Sequence, residues 1–537
     1  MSLSVVAVSA PNTLIGVPGE AALKSSDPAS LFNACRLAAA AAETKDSTWS
    51  NISWQNSNWG GSRKDRRSKL LLMNSWLEDR RAFRAMLIRE KPNLLLIGAM
   101  TLCMPGAVAC AEEARDVLGD KVYIVLGGRH INETFYTSGR TITHHVASPL
   151  LLMAQRKLKN VFDLVIAGQA EALISNIGTM IDDCLINQQS FHTIADQILN
   201  NTSMPGQWLA GWMKDGKIQA IESTGFPIVY EGIPSISHLF GVSAQFDCFD
   251  GRKTAHAFSD SGNGCAYDCL FCSERNSVTK ETFNLRGGAD RLYQQFKEIT
   301  KTIREDSPKS GASAFVEDSM LLGANPREMA RLAELLEQNP LDIRFGAQLT
   351  IDMIIKNQEL LSRLKKVGLD YLFIGLETEE PTHIGGMSKD TKRLGETWTS
   401  RAESTMKCLN ELGIKCGAAL LFGMNESLES RVRIFTNLKR WRTLYNNPIL
   451  VSMNWAVQHP LRGFDGGHSF DYLEWGTPEA ELNALFSRYF GEASSNYPLN
   501  GCSPPTLEEV QEVCRLYELV FNEQEEIVIY GRACGAE

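Results

Sequence analysis

Five short apolar runs in the first 190 residues show no alternation between apolar and polar positions. They are SVVAVS (4–9), KLLLM (69–73), NLLLIGA (93–99), VYIVLGG (122–128) and FDLVIAG (162–168). Helical patterns separate most of these runs. A strand that is apolar at every position has both faces buried, which is typical of a parallel sheet with helices on both sides. The runs therefore predict a five-stranded, doubly wound, Rossmann-like α/β domain.

The same alternation resumes with a longer period from residue 254. Amphipathic helices fill the intervals between strand candidates, and one of them carries Leu292, Phe296, Ile299 and Ile303 on one face. The strand candidates are 254–259, 312–317, 342–347, 370–375, 414–421 and 450–455. Six successive βα units predict an incomplete form, (β/α)6, of the eight-unit parallel barrel.

With 537 residues the chain is long enough for two or three domains. The patterns predict a doubly wound domain over residues 1–190 and a partial barrel over residues 251–465. Residues 191–250 lack a regular pattern and are predicted to be a connector. Residues 466–537 are predicted to form a small C-terminal capping segment.

The composition excludes several classes of partner. The formal net charge is −9, and no long basic run suggests nucleic acid. No apolar run reaches the roughly 18 residues that a transmembrane helix needs, and the first residues, MSLSVVAVSAPNTL, lack the features of a signal peptide. We therefore expect a cytoplasmic protein with neither nucleic acid nor membrane as a partner. In that reducing compartment, a tight group among the 13 cysteines is typical of a metal or catalytic site.

Three cysteines lie close together in the stretch SGNGCAYDCLFCSERN, residues 261–276. Cys265, Cys269 and Cys272 follow the first predicted barrel strand, at the carboxyl end where barrels place active sites. Three thiolates can hold three irons of a 4Fe-4S cluster and leave the fourth iron open to a substrate, whereas electron-carrier clusters normally have four cysteine ligands. A zinc site closed by Cys248 is the alternative, although zinc cysteines usually have short spacing on both sides.

Further polar side chains and glycines stand at the carboxyl ends of the predicted strands. In the barrel they include Glu317, Asp318, Gln348 and Glu377. In the first domain the glycines are Gly98, Gly127, Gly128 and Gly168. Solvent exposure alone would explain many of the polar residues, and ordinary turns would explain any single glycine. As a set, the glycines favour a large ligand at the edge where such sheets bind ligands.

The spacing Cys-x₃-Cys-x-Phe-Cys resembles the cluster loop of the radical S-adenosylmethionine (SAM) superfamily. In that superfamily, SAM binds the open iron, and an electron from the cluster cleaves it to methionine and a 5′-deoxyadenosyl radical. The resemblance implies that Cys265, Cys269 and Cys272 bind the 4Fe-4S cluster and that Phe271 lies against the adenine of SAM.

The same resemblance gives roles to the polar strand ends of the barrel. It implies that Glu317 or Asp318 faces the amino group of SAM, an arrangement that suits a carboxylate. Glu377 is implied as a further contact of SAM or of the site, and Gln348 is grouped with these residues as a cofactor contact. No catalytic residue is assigned.

Longer segments resemble one branch of this superfamily, the cobalamin-binding radical SAM proteins. The segments are PNLLLIGAMT, VYIVLGGRH, FDLVIAGQAEALI, AFVEDSM, GLDYLFIGLETEE and LGIKCGAALLFGMNES, although Gln169 stands where the pattern usually has an acidic residue. The likeness implies a cobalamin bordered by Gly98, Gly127, Gly128 and Gly168.

One departure from the branch concerns the lower face of cobalt. The chain has no Asp-x-His-x-x-Gly stretch, so the usual histidine ligand is not provided. His130 is the nearest candidate by position, but it is not expected to be the ligand. The departure implies a lower face of cobalt that is open, or that holds water or another side chain.

The resemblance implies a methyltransferase that acts on an unactivated carbon. The acidic composition and the aromatic-rich polar loop at residues 46–62 favour a small molecule or a peptide of secondary metabolism as its substrate. An electron donor such as flavodoxin or ferredoxin is the expected protein partner. Three alternatives stay open: a cobalamin-dependent cyclase or ring-rearranging enzyme, a radical SAM enzyme whose first domain has lost cobalamin, and a zinc-stabilised binding protein that is not catalytic.

Overall fold

A computed structural model gives the structure of the chain. It describes residues 3–11, 67–73, 76–226, 244–245, 249–257, 259, 265, 267–269, 271–272, 274, 287–306, 308–378, 397–462, 473 and 479–521. The described residues divide into two compact units. Those up to 226, with 460–462 and 473, belong to the first unit, and those at 244–459 and 479–521 belong to the second.

The first unit is built on a sheet with the strand order β2-β1-β3-β4-β7-β8-β9. Its strands are β1 (Ser4–Ser9), β2 (Arg67–Leu72), β3 (Leu94–Gly98), β4 (Tyr123–Gly127), β7 (Leu164–Gly168), β8 (Trp208–Lys214) and β9 (Lys217–Glu222). The first five of these are parallel, and a separate antiparallel pair is formed by β5 (Phe135–Ser138) and β6 (Thr141–His144). The five parallel strands are those that the sequence predicts.

Helices cover both faces of this sheet. They are α1 (Trp76–Glu90), α2 (Met104–Leu118), α3 (Arg129–Thr134), α4 (Pro149–Ala154), α5 (Glu171–Asn187) and α6 (Ile194–Ile198). Alternate residues of each central strand enter opposite cores. Val6 and Val8 pack in the core that also holds α1 and α2, whereas Val5 and Ala7 pack in the core that holds α5. This double burial is the physical reason for the continuous apolar runs, and the predicted doubly wound domain is confirmed.

The predicted connector, residues 191–250, contributes two strands to the first sheet. Strands β8 and β9 form an antiparallel hairpin beside β7. Asp215 and Gly216 join them with positive φ angles of 51° and 71°, as a two-residue hairpin turn requires. Trp208 and Trp212 are buried against the α5 side, so burial of these aromatic rings extends the sheet to seven strands.

The second unit contains an open sheet with the strand order β10 through β17. Its strands are β10 (Ala244–Gln245), β11 (Lys253–Ala257), β12 (Ala312–Val316), β13 (Ile343–Gln348), β14 (Leu369–Glu377), β15 (Lys415–Phe422), β16 (Leu450–Trp455) and β17 (Phe490–Glu492). All neighbouring pairs from β11 to β17 are parallel, and β10 is antiparallel to β11. The six strands predicted for the partial barrel are present, and β17 adds a seventh from the predicted capping segment.

Helices alternate with the strands of this unit. They are α7 (Gly288–Asp306), α8 (Pro326–Gln338), α9 (Ile351–Lys356), α10 (Gln358–Lys366), α11 (Trp398–Leu412), α12 (Leu428–Tyr445), α13 (Ala480–Tyr489) and α14 (Leu507–Val520). The start of α8 shows how the sequence sets these boundaries. Asn325 caps it by accepting a hydrogen bond from Arg327 N at 3.1 Å, and Pro326 occupies the first position.

Residues 460–462 and 473 lie near the predicted boundary between the barrel and the capping segment, but the structure assigns them to the first unit. Leu473 packs against the core on the α1 and α2 side of the first sheet, so burial of an apolar side chain accounts for this placement. Among the described helices, none is long and apolar enough to cross a membrane.

Candidate functional site

The cysteine loop follows β11 and closes on itself through hydrogen bonds between its own residues. Cys265 N donates to Glu274 O at 2.8 Å, which joins the two ends of the loop. Cys272 N donates to Cys269 O at 3.1 Å. Glu274 N lies 3.4 Å from Cys272 Sγ, so a backbone donor points at one of the three sulfurs. Cys269 is buried, and Cys265 and Cys272 are half-buried.

The electrostatics of the loop favour a positively charged ligand. Burial raises the pKa of the Cys272 thiol, and the neighbouring charges of Glu274, Cys265 and Cys269 raise that pKa further. A bound metal centre reverses such an effect, because its positive charge stabilises thiolates. Cys265 and Cys269 thus lie close enough to Cys272 to act on its charge, and three cysteines of one loop have the donor chemistry that a cluster held by three thiolates requires. Within the described parts of the chain, no three His, Cys, Asp or Glu side chains form a ready-made site for a single metal ion.

Asp318 lies two residues after the end of β12, and its carboxylate is hydrogen-bonded within the protein. Its Oδ1 accepts a hydrogen bond from Ser259 N at 2.9 Å, and its Oδ2 accepts one from Leu322 N at 3.1 Å. The hydroxyl of Ser259 also donates to Oδ2. Asp318 is buried, whereas its neighbour Glu317 is half-buried. Of the two carboxylates predicted to face SAM, Glu317 is thus the one whose side chain is more accessible.

Gln348 and Glu377 end the next two strands. Gln348 Nε2 lies 3.4 Å from the carbonyl oxygen of Asp318, so the ends of β12 and β13 are joined. Glu377 is buried and has a φ of 56°, in the left-handed region that non-glycine residues rarely occupy. A break in the register of β14 and β15 between Gly375 and Glu377 accompanies this conformation. Strained residues of this kind cluster at binding sites and active sites.

The four glycines of the first sheet fall into two pairs. A Cβ atom at Gly128 or Gly168 would clash with the protein's own backbone, at Ala99 and Gln207 respectively, and both glycines have positive φ. Their presence is therefore explained by the fold. A Cβ atom at Gly98 would be 3.9 Å from the nearest atom, and one at Gly127 would be 3.5 Å away. The absence of a side chain at Gly98 and Gly127 is not required by neighbouring protein atoms.

His130 is an internal residue of the first unit. Its Nδ1 lies 3.1 Å from the hydroxyl of Thr101, and its Nε2 lies 3.1 Å from the carbonyl oxygen of Ala147. Burial lowers the pKa of His130 from 6.5 to about 3, against the opposing effect of the bond to Ala147. Both ring nitrogens already have partners, so metal coordination would require one of these bonds to break.

A comparison with known protein families identifies the family of the barrel domain. Residues 260–437 match the family model described as the radical SAM superfamily. The chain carries a radical SAM domain. This region contains the cysteine loop and strands β12 to β15, so the resemblance that the loop spacing indicates is confirmed. A 4Fe-4S cluster and SAM are the cofactors characteristic of that superfamily.

Several proteins are similar over a longer part of the chain. One is "Anaerobic magnesium-protoporphyrin IX monomethyl ester cyclase" from Rubrivivax gelatinosus, 21% identical over 384 residues, which are 69% of this chain and 57% of the relative. The match thus spans little more than half of that relative's length. Among solved structures, the radical SAM methyltransferase TsrM from Kitasatospora setae is 13% identical, with a TM-score of 0.47 over 84% of this chain and 73% of its own. The "Cobalamin-dependent S-adenosylmethionine radical enzyme OxsB" is 11% identical, with a TM-score of 0.49 over 96% of this chain and 61% of its own.

The radical SAM domain brings together several of the predicted site residues. Cys265 Sγ lies 4.0 Å from the sulfur of Met320, two residues after Asp318. Gln348 contacts Asp318 as described above, and the ring of Phe271 packs against the hydrophobic core of the barrel. Cys248, the fourth ligand of the zinc alternative, lies outside the described residues.

A buried ion pair in the radical SAM domain was not anticipated from the sequence. Glu426, after β15, accepts hydrogen bonds from Gly423 N at 3.1 Å and Met424 N at 2.7 Å. Arg431 Nε donates to the same carboxylate at 2.8 Å, and the guanidinium lies 5.3 Å from the ring centroid of Trp455. This pair fixes the turn that follows β15. The sequence signal is the glycine followed three positions later by a glutamate, at the end of a predicted strand.

A second contact that the sequence did not reveal lies at the carboxyl edge of the first sheet. Asn132 Oδ1 accepts a hydrogen bond from Gly168 N at 2.9 Å, which joins α3 to the end of β7. Arg462 Nε donates to the carbonyl oxygen of Asn132 at 2.5 Å. A residue from far along the chain thus holds this edge, and no local pattern in the sequence indicates such a contact.

Proposed function

We propose that the protein is a cobalamin-dependent radical SAM methyltransferase that acts on an unactivated carbon of a small molecule or a peptide. The observation that carries the proposal is the set of three thiols at the carboxyl end of β11, in a domain of the radical SAM superfamily. With only three protein ligands, a 4Fe-4S cluster keeps one iron open for SAM. When bound, the cluster supplies the electron that cleaves SAM, and cobalamin supplies the methyl group.

The protein's part is to bind and orient these groups and to exclude water from them. Cys265, Cys269 and Cys272 hold the cluster. The Glu317 carboxylate accepts hydrogen bonds from the amino group of SAM, because the Asp318 carboxylate is occupied by Ser259 and Leu322.

Three further residues complete the proposed SAM site. Phe271 lies against the adenine of SAM. Gln348 and Glu377 line the same carboxyl edge of the sheet, since they end the neighbouring strands β13 and β14. The strained backbone of Glu377 supports a role in binding, since such strain is retained where a side chain must be held in a fixed position.

The first unit supports the cobalamin part of the proposal through its strand order. The order β2-β1-β3-β4-β7 places a topological switch point between β1 and β3, and open α/β sheets bind ligands at that point, beyond the carboxyl ends of the strands. Gly98 ends β3 there, with room for a ligand to approach its backbone. Gly127 offers similar room on β4, whereas Gly128 and Gly168 shape the border. The internal bonds of His130 support a lower cobalt face without a histidine.

A cyclase or ring-rearranging enzyme that uses the same cofactors is the second candidate. The similarity to the Rubrivivax gelatinosus cyclase, over 69% of this chain, favours it. The mass of the product separates the two reactions. Methylation adds one carbon and two hydrogens to the substrate, whereas cyclisation adds no carbon.

The test is anaerobic purification with added cobalamin, followed by a visible spectrum and counts of iron, sulfide, cobalt and zinc per chain. We expect about four irons and one cobalt. The variant Cys265→Ala/Cys269→Ala/Cys272→Ala should lose the iron, and Cys502→Ala, a half-buried free cysteine outside the loop, should keep it. Iron without cobalt would contradict the methyltransferase, and zinc without iron would contradict the whole proposal. Flavodoxin or ferredoxin, the proposed electron donors in the cytoplasm, can replace a chemical reductant in the activity assay.

A further inference from the structure

Of three consecutive residues after β12, two contact the cysteine loop and the third contacts the segment just before it. Asp318 binds Ser259, six residues before Cys265. The hydroxyl of Ser319 donates to the carboxylate of Glu274, two residues after Cys272. Met320 Sδ lies 4.0 Å from Cys265 Sγ. We call residues 318–320 the bracket. Through Met320 and Ser319 it contacts Cys265 and Glu274, the two ends of the loop.

Glu274 links the bracket to two of the cysteines, because it contacts Ser319 through its side chain and Cys265 and Cys272 through its backbone. Its carbonyl oxygen accepts a hydrogen bond from Cys265 N at 2.8 Å, and its own N lies 3.4 Å from Cys272 Sγ. One residue therefore contacts two of the three cysteines through its backbone. Its side chain makes the contact with Ser319, so the position of this backbone depends on that hydrogen bond.

The bracket follows the buried part of the sheet, and contacts from two other elements hold it and its partner Ser259 in place. Every residue of β12 is buried, and Gln348 at the end of β13 contacts the carbonyl oxygen of Asp318 at 3.4 Å. Arg291 of α7 donates to the carbonyl oxygen of Ser259 at 3.0 Å from the other side. The described residues of the cysteine loop contain no helix or strand that could fix their own positions. The bracket therefore adds to the loop's own hydrogen bonds and to the packing of Cys269 and Phe271 in fixing its geometry.

We propose that Ser319 and Glu274 are positioning residues that set the reduction potential and the retention of the cluster bound by Cys265, Cys269 and Cys272. This inference rests on the proposed function, since it requires the cluster. Hydrogen bonds to the sulfurs of a cluster shift its potential. The N–H of Glu274 stabilises the reduced form more than the oxidised form, because reduction adds negative charge to the sulfurs. Loss of the Ser319 contact misaligns this donor, so the potential falls.

The experiment compares full-length variants with cobalamin and a reconstituted cluster. Ser319→Ala and Glu274→Ala each remove the side-chain contact, and Glu274→Gln keeps an oxygen that the Ser319 hydroxyl can bind. Ser404→Ala is the matched control, because that serine makes a hydrogen bond to Ser400 O at 2.9 Å on the exposed face of α11. The measurements are the midpoint potential of the cluster, from a redox titration followed by electron paramagnetic resonance, and the rate at which a chelator removes iron.

In Ser319→Ala we expect a more negative midpoint potential, by up to about 59 mV, which is a tenfold change in the one-electron equilibrium. Glu274→Ala is compared with Glu274→Gln, because both lose the same negative charge, and the alanine variant should have the more negative potential of the two. Iron should be lost about tenfold faster from Ser319→Ala and Glu274→Ala than from the wild type, because each variant lacks one hydrogen bond to a charged group. Ser404→Ala should resemble the wild type, Glu274→Gln should retain iron as the wild type does, and the double variant Ser319→Ala/Glu274→Ala should have the same potential as Glu274→Ala.

Three results would overturn the inference, and they can be distinguished from one another. A wild-type potential in Ser319→Ala, together with equal potentials in Glu274→Ala and Glu274→Gln and wild-type iron retention in all three, would show that the bracket does not act on the cluster, while the proposed function stands. A wild-type protein that binds no iron would remove the proposed function, and this inference with it. A lower melting temperature with an unchanged potential would assign Ser319 a structural role alone, and would also overturn the proposal.

Discussion

Asp318 and Ser259 are joined by two hydrogen bonds, one from the backbone nitrogen of Ser259 and one from its hydroxyl. Ser259 follows β11 and Asp318 follows β12, so this pair ties the start of the cysteine loop to the neighbouring strand. A carboxylate that accepts these bonds and a third from Leu322 has little capacity left for a ligand. Asp318 and Glu317 are therefore expected to behave differently when their charges are removed.

The first prediction contrasts Asp318→Asn with Glu317→Gln. The amide of asparagine has a single acceptor oxygen, so Asp318→Asn leaves at least one buried donor without a partner, at a cost of about 1–3 kcal/mol in stability. We expect this variant to lose iron during purification. Glu317→Gln should keep its iron and bind SAM more weakly, by about tenfold, because it loses a charge-assisted hydrogen bond.

Iron counts and equilibrium binding of radiolabelled SAM distinguish these variants. Glu359→Gln, an acidic residue exposed in the first turn of α10, is the control and should change neither quantity. If Asp318→Asn retained iron and lost SAM affinity while Glu317→Gln did neither, the assignment of the two carboxylates would have to be exchanged.

The second prediction concerns the glycines of the first sheet. Gly168→Ala should destabilise the protein by about 1–3 kcal/mol, because Gly168 has a φ of 84° and an added methyl group would meet the carbonyl of Gln207. Gly98→Ala should change the free energy of unfolding by no more than about 0.5 kcal/mol, since the nearest atom to its Cβ would be 3.9 Å away.

Cobalamin binding then tests what Gly98 contributes. If cobalamin approaches the end of β3, the methyl group of Gly98→Ala enters its space and weakens binding in a visible-absorption titration. Gly139→Ala, at a turn where nothing lies within 4 Å of the added atom, should bind cobalamin normally. Normal cobalamin affinity in Gly98→Ala would place the ligand away from the switch point between β1 and β3.

The third prediction is a pH dependence that arises from His130. Above pH 6.5 the ring is neutral in both the folded and the unfolded chain, so it contributes no pH dependence. As the pH falls from 6.5 towards the lowered pKa of His130, about 3, only the unfolded chain takes up the proton, and the folded state loses up to about 1.4 kcal/mol per pH unit. Burial dominates this shift, and the neighbouring His145 adds to it.

Urea unfolding at pH 7 and pH 5 measures this effect. The wild type should lose about 2 kcal/mol more than His130→Gln between these two values, because glutamine does not titrate. The same variant should bind cobalamin with an unchanged spectrum, since the imidazole nitrogens bond to Thr101 and Ala147. A changed cobalt spectrum would instead make His130 a ligand.

Sequence patterns predicted the five parallel strands of the first sheet, because burial on both faces gives an unbroken apolar run, and six of the strands of the second sheet. The hairpin of β8 and β9 was missed although its Asp-Gly turn is visible, since nothing local shows that Trp208 and Trp212 pack against α5. Local sequence also could not decide whether Glu317 or Asp318 contacts the amino group of SAM. Both follow the same strand, and only a contact with Ser259, 59 residues away in sequence, separates them. The proposal of Cys265, Cys269 and Cys272 as cluster ligands needed no such information, because it rests on their spacing within one loop.

The fourth prediction concerns the buried pair of Glu426 and Arg431. Arg431→Met should lower the free energy of unfolding by about 3–5 kcal/mol, because it leaves the carboxylate of Glu426 buried without its cation. Glu426→Gln/Arg431→Met should recover part of this loss, since no charge is then left buried. Arg433→Met is the matched control on the same helix, where an exposed pair with Glu429 is worth less than about 1 kcal/mol. Urea unfolding of the four proteins decides the matter: equal losses in Arg431→Met and Arg433→Met would show that the buried pair does not hold the turn after β15.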